Sequence, residues 1–378
     1  MILVVVSVVC SLYVIQNQVQ KSSRRSPLPP WPLPSVALKR MLPTAMLDRP
    51  KPSFDSVSGW PRVSYFAELP SVDDPLWPPL PEDSSPNDTT SQPYQTQKPT
   101  TIATCVPGLA KDIYDETRVS AFLLSNQRQE VKAKELIFLL SDVNAVLTEN
   151  KETGLIMSGE QWCKDAHKIL QDFHSNLIMV CVGERITAGR ARNILARVAT
   201  ADVLAYIDTD DEEEPERNQV IQSLFDCRPQ LKLLIHSNYG TGHGLYGKVR
   251  YHPYDSLPEV SDGTVSTSIC PDEQEGVEVI RGIALREMLD QTQDVLKFGI
   301  RTVGGMRPGH LVVKRDVTRY VRSSSIYKGQ DTLWARDIIY MYGRHDDKAL
   351  FLNRPLTTYY QSGHSFNVNV AKSRNNKG

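Results

Sequence analysis

Asp208, Asp210 and Asp211 open an acidic run inside VLAYIDTDDEEEPERN, residues 203–218, where seven of the nine residues from 208 to 216 are Asp or Glu. Carboxylates one residue apart at the end of a strand can share a divalent cation and its water shell. Mg²⁺ or Mn²⁺ suits that chemistry, because either takes oxygen ligands, few protein groups and substrate phosphates. A bound cation would also offset the repulsion among so many like charges. The alternative is a solvated loop. Glu212, Glu213, Glu214 and Glu216 are expected to precede or begin a helix at Pro215, where acids complement the macrodipole and proline suits the first turn.

Arg190 and Arg192 lie in AGRARNIL, residues 188–195, near the start of an expected helix. Cations oppose the dipole there, and a diphosphate would reverse that cost by pairing with both guanidinium groups and the helix amides. The bland reading is two solvated arginines. Asp331 follows Gly329 at the start of an amphipathic stretch, 327–344. It either caps that helix or takes a proton from an incoming hydroxyl as a general base. His364, after the strand-like LTTYY and a glycine, is either a third metal ligand or a structural histidine. GHGLYGK, residues 242–248, has the spacing of a phosphate-binding loop but continues into Val249 and two prolines. The hydroxyl that would hold Mg²⁺ and the helix that would complete the cradle are missing.

The elements that would carry these residues follow from periodicity. Strands are expected over 134–143, 176–182, 202–208 and 231–237. Helices are expected over 160–173, 187–200 with Thr187 as N-cap, 216–227 and 327–344. Alternating strands and helices predict an α/β fold with a mostly parallel, doubly wound sheet, whose ligands bind beyond the carboxyl ends of the strands. Asp208 to Asp211 fall at such an end.

The chain has 378 residues and a net charge of −1, so no global field argues for nucleic acid. Residues 1–15 are almost continuously apolar, and 1–20 are expected to act as a signal-anchor. The segment is short for a bilayer span, and Lys21, Arg24 and Arg25 follow it. Residues 21–107 hold eighteen of the 25 prolines and are expected to form an extended, largely disordered stalk before a catalytic domain at 108–378. The six cysteines form no CxxC pair, which argues against a zinc ribbon. Disulfides are open to the other five if the chain is secretory; Cys163 and Cys181 could equally be buried thiols.

Taken in order, GRARNILARVATADVLAYIDTDDEEEPER, GQD at 329–331 and the late His364 resemble the GT-A glycosyltransferases, most closely their family 2-like branch, over about 134–367. The first stretch is similar to that group's helix with an Arg-Asn pair, then a strand ending in an Asp-x-Asp motif, then a proline. The resemblance implies a nucleotide-diphosphate sugar donor held by Arg190, Arg192, Asn193, Asp208 and Ser141. It implies Mn²⁺ or Mg²⁺ on Asp208, Asp210, Asp211 and His364, with Asp331 as catalytic base. The activity implied is inverting transfer of a hexosyl-type sugar to a glycan or other hydroxyl acceptor. The setting implied is a single-pass Golgi or endoplasmic reticulum membrane protein with a lumenal domain. Two departures stand out: SDVNAV (141–146) in place of the usual Pro and Asn after the first strand, and VGERIT (182–187) in place of the acidic-and-Ser turn after the next. A metal-dependent nucleotidyltransferase and a non-catalytic GT-A-like binding domain are the rival readings.

Overall fold

The computed structural model describes residues 61–68, 98–114, 116–147, 157–242, 270–277, 279–292, 311–324 and 330–361. The strands are β1 Val63–Phe66, β2 Ile102–Leu109, β3 Glu135–Ser141, β4 Leu177–Val182, β5 Val203–Tyr206, β6 Glu212–Glu213, β7 Leu233–Gly242, β8 Val279–Arg281, β9 Val312–Lys314 and β10 Ala349–Gln361. The helices are α1 Glu116–Arg128, α2 Gly159–Leu170, α3 Ala188–Val198, α4 Arg217–Cys227, α5 Gly282–Thr292 and α6 Gln330–Tyr342.

One sheet runs β1-β4-β3-β2-β5-β9-β7-β10-β6, with β8 also paired to β10. The pairs from β1 through β5 are all parallel, as is β7 with β10. β9 is antiparallel to both β5 and β7. Alternation along the strands divides the core between the two faces. Leu136, Phe138 and Leu140 pack with Phe122 of α1 and Trp162 of α2. Ile137 and Leu139 point the other way, into the cluster holding Ile194 of α3, Leu285 of α5 and Trp334 of α6. Val203 and Ala205 pack with Val220 and Leu224 of α4. Strands buried on both faces read as continuous apolar runs, which is why they were legible. This is the mostly parallel α/β architecture that the sequence predicts.

The stalk boundary needs correction. β1 and most of β2 fall within 21–107, and β2 lies inside the parallel set between β3 and β5. Pro107 misleads in sequence because it sits in that strand. Cys105 O accepts from Ile207 N, so Cys105 and Pro107 both turn their amide positions towards β5, whose pairing with β2 ends at Cys105. The hydrogen bond that proline cannot donate is therefore not called for.

A disulfide, Cys163–Cys181, joins α2 to β4 across 18 residues. Closing a loop of that length is worth about 3 kcal/mol in the chain-entropy model. Among the described residues no helix is long and apolar enough to cross a membrane, and the apolar segment at 1–20 lies outside them.

Candidate active site

Because β2 to β5 are parallel, their carboxyl ends open on one edge. Asp112 follows β2, Ser141 and Asp142 end β3, Gly183 and Glu184 follow β4, and Asp208 to Asp211 follow β5. The turns are laced together. Asp142 N donates to Glu184 O at 2.9 Å and Asn144 N to Gly183 O at 3.0 Å. Asp112 Oδ2 accepts from Leu109 N at 2.9 Å and from Thr209 Oγ1 at 3.4 Å. A Cβ on Gly108 would lie 2.7 Å from Thr209 Cγ2, so glycine lets the β5 turn sit against β2.

The acidic run divides. Asp208 and Asp210 are partly exposed, whereas Asp211 is fully buried. Burial and the charge of Asp210, partly offset by the Leu109 amide, push the Asp112 carboxyl above its usual range. A cation at Asp210 would reverse that tendency.

The glutamates precede the helix rather than lying within it, with Glu216 as its N-cap. α4 begins at Arg217, with no acid in its first turn, and Pro215 lies in the preceding turn. Glu212 and Glu213 form β6 against Thr358 and Thr357 of β10. Glu213 is buried in an ion pair with Arg217 and accepts from Asn126 Nδ2 at 2.7 Å. Arg217 Nη2 also donates to Tyr206 O at 2.9 Å. Glu214 Oε1 accepts from Thr358 Oγ1 at 2.8 Å, and Glu216 pairs with Arg354 at 3.6 Å. Tertiary partners outbid the helix dipole because each offers a full charge or a hydrogen bond against a few tenths of a kcal/mol to about 1 from the dipole.

The arginine-bearing helix forms as expected, with Thr187 Oγ1 accepting from Arg190 N at 3.3 Å. Arg190 leans on Glu184 at 3.6 Å. Arg192 is 2% exposed, and its Nη2 lies 3.7 Å from Asp208 Oδ1. Its Nε and Nη1 are buried without a hydrogen-bond partner. A guanidinium with two idle donors at a strand-end rim is equipped to grip an anion.

Asn193, expected to touch the donor, is committed elsewhere. Its Nδ2 donates to Ser323 O and its Oδ1 accepts from Ser323 N, each at 2.9 Å. Gly189 permits this docking, since a Cβ there would fall 1.8 Å from Ser324 O. Val321 O accepts from Trp334 Nε1 at 2.9 Å, and Trp334 meets Tyr206 edge-on at 5.2 Å between ring centroids. Tyr206 OH in turn donates to Arg192 O at 3.3 Å. The α6 helix, with Asp331 in its first turn, is thus bolted to the strand that ends in Asp208. The side chain of Asp331 and all of His364 lie outside the described residues, as does the glycine-rich stretch from 243 onward.

Ser141 is buried, its Oγ within 3.5 Å of Gly108 O. Asp142, next to it, has φ 67°, an uncommon backbone for a residue with a side chain and one that Asp tolerates better than most. β2 precedes the strand at 134–143 and pairs with it in parallel, with Pro107 inside β2 and Ser141-Asp142 at the end of β3. Asp112, Asp142 and the Glu213–Arg217 pair were missed in sequence. Placing β2 from its apolar IATCV would have found the first two.

The sheet and its rim define a mostly parallel α/β domain carrying acids and a buried arginine at one edge. No family model and no curated protein matches the chain. Solved structures that resemble it include Staphylococcus aureus TarS 1–349 in complex with UDP, at 12% identity and a TM-score of 0.39, over 70% of this chain and 61% of that one. The same fragment with UDP-GlcNAc gives 12%, 0.40, 69% and 59%. A mycobacterial protein gives 14%, 0.35, 68% and 66%. The chain spans about three-fifths of the TarS fragment.

Proposed function

We propose that this chain is a glycosyltransferase that moves a sugar from a nucleotide-diphosphate donor to a hydroxyl acceptor, with inversion. The observation that carries the reading is Arg192, a buried guanidinium with idle Nε and Nη1 beside Asp208 at the carboxyl edge of the sheet. In this reading Arg192 grips the donor diphosphate and stabilises the leaving nucleoside diphosphate. The Ser141-Asp142 turn receives the nucleoside. Asp331, in the first turn of α6, takes the proton of the acceptor hydroxyl as the oxygen attacks the anomeric carbon. Asn193 acts as a positioning residue, holding the segment before α6.

The partly exposed Asp208 and Asp210 fit Mn²⁺ or Mg²⁺, since they offer hard oxygen donors. Among the described residues no three metal-ligating side chains gather, which leaves His364 as the proposed third ligand and water or phosphate for the rest. When bound, the ion would act as a Lewis acid on the diphosphate. The Cys163–Cys181 disulfide supports an oxidising compartment and so the proposed lumenal setting, with 1–20 as membrane anchor.

The test is a donor screen of the full chain with Mn²⁺, reading released nucleoside diphosphate. Asp210→Ala is expected to abolish metal-dependent turnover, and Asp331→Asn to keep donor binding while losing transfer. Turnover that survives Asp210→Ala sinks the metal assignment. Donor cleavage that releases pyrophosphate instead would select the nucleotidyltransferase reading.

A further inference from the structure

Cys227 ends α4, and Cys270 precedes the short 3₁₀ turn Pro271–Glu273. Their thiols lie within hydrogen-bonding reach of one another, although the two residues are 43 apart in sequence. Charge holds the two backbones together independently of sulfur. Arg228 Nη2 donates to Asp272 Oδ2 at 3.1 Å and also pairs with Glu273 Oε1 at 2.5 Å. Arg281 Nη2 donates to the same Asp272 oxygen at 2.9 Å. Asp272 is buried, so its two arginines fix the turn that carries Cys270. Cys227 is exposed and Cys270 is buried. Among the described residues the third free thiol is Cys105, buried in β2, where burial pushes it well above its usual range.

We propose that Cys227 and Cys270 form a second disulfide, which locks the end of α4 to the segment that leads into β8. Oxidation is by thiol–disulfide exchange with a small or protein disulfide. The thiolate of exposed Cys227 attacks one sulfur of the oxidant, and the other sulfur leaves as a thiolate. The Cys270 thiol, giving its proton to solvent, then attacks Cys227 Sγ and expels the second thiolate. Two cysteine thiols become one S–S bond, and the oxidant's disulfide becomes two thiols. Cys270 is held protonated by burial and by its neighbours, which slows the second step. Its standing beside Cys227 makes that step intramolecular and offsets the penalty. A loop more than twice that of Cys163–Cys181 closes, so the chain-entropy model assigns this bond the larger constraint.

The experiment is peptide mapping of the full wild-type chain after incubation with oxidised glutathione, alkylated and digested without reductant. The expected product is a peptide pair joined through Cys227 and Cys270, two hydrogens lighter than the sum of the parts and split by reductant. Two results overturn the proposal, provided the Cys163–Cys181 pair is recovered intact from the same digest. One is full alkylation of both Cys227 and Cys270. The other is a glutathione adduct on Cys227 that Cys270 does not resolve. In Cys270→Ser that adduct is the expected end product, and its failure to build up relative to wild type also overturns the exchange order.

Discussion

Arg192→Met separates an anion-binding arginine from a structural one, because the two roles predict opposite changes in stability. The guanidinium is 2% exposed and has one ionic partner, Asp208 Oδ1 at 3.7 Å, on a side chain 38% exposed. At an effective dielectric near 20, such a pair attracts by about 4 kcal/mol, and water at Asp208 screens part of that. Taking the guanidinium out of water costs several kcal/mol, so the pair roughly cancels. Methionine fills similar space without charge, and Asp208 can recover water. The free protein should therefore keep its stability or gain about 1–4 kcal/mol. Binding moves the other way. Nε and Nη1 each forgo a charge-assisted hydrogen bond worth about 1.5–3 kcal/mol, so two give about 3–6 kcal/mol, or 10²- to 10⁴-fold in affinity. Urea denaturation gives the first quantity. Titration with UDP and GDP in the presence of Mn²⁺ gives the second. A variant that loses about 3 kcal/mol of stability while binding its diphosphate as before would show that Arg192 is part of the scaffold, and the case for the donor site would fall with it.

Three other outcomes are expected. Gly189→Ala forces a methyl onto Ser324 O and should cost about 1–3 kcal/mol in urea, with a further loss of transfer as the segment before α6 lifts; wild-type stability would show that the segment docks differently. Arg217→Ala strands Glu213 in the core and should cost about 3–5 kcal/mol, while Glu213→Gln combined with Arg217→Met recovers most of it by denaturation. His174 accepts Asn176 N at Nδ1, so Nε2 carries the proton it donates to Ala133 O, and burial holds its pKa below the ordinary value, as it does for His167. A depressed histidine pKa gives stability that is present above the unfolded value of about 6.5 and lost as pH falls below it, by up to about 1.4 kcal/mol per pH unit for each group. His174→Gln should flatten that slope between pH 7.5 and 5.5, and an unchanged slope would place the acid sensitivity elsewhere.

How much of this was legible depends on what each residue's partner is. β3, β4, β5 and the caps of α3 are local: apolar runs, a threonine and a period suffice to place them. Thr187 caps as expected because an N-cap needs only the next turn of its own helix. Asn193 could not be read this way, since its two bonds go to Ser323, 130 residues downstream. β1 and β2 were hidden by the prolines around them, and a strand as short as Val63–Phe66 takes its stability from β4 rather than from its own four residues.

The acidic run shows how one stretch can serve both scaffold and chemistry. Glu213 ties the turn after β5 to α1 and α4, Glu214 to β10, and Glu216 to Arg354. Together the three acids reach α1, α4 and β10, so the turn is held from several sides. In the proposed site, where Asp208 and Asp210 face a charged ligand, such support means that binding costs little ordering of the backbone. The acids that look redundant in sequence are the ones that hold the other two in place. Asp211, fully buried, belongs with the supporting set, and the pair left facing solvent is Asp208 and Asp210.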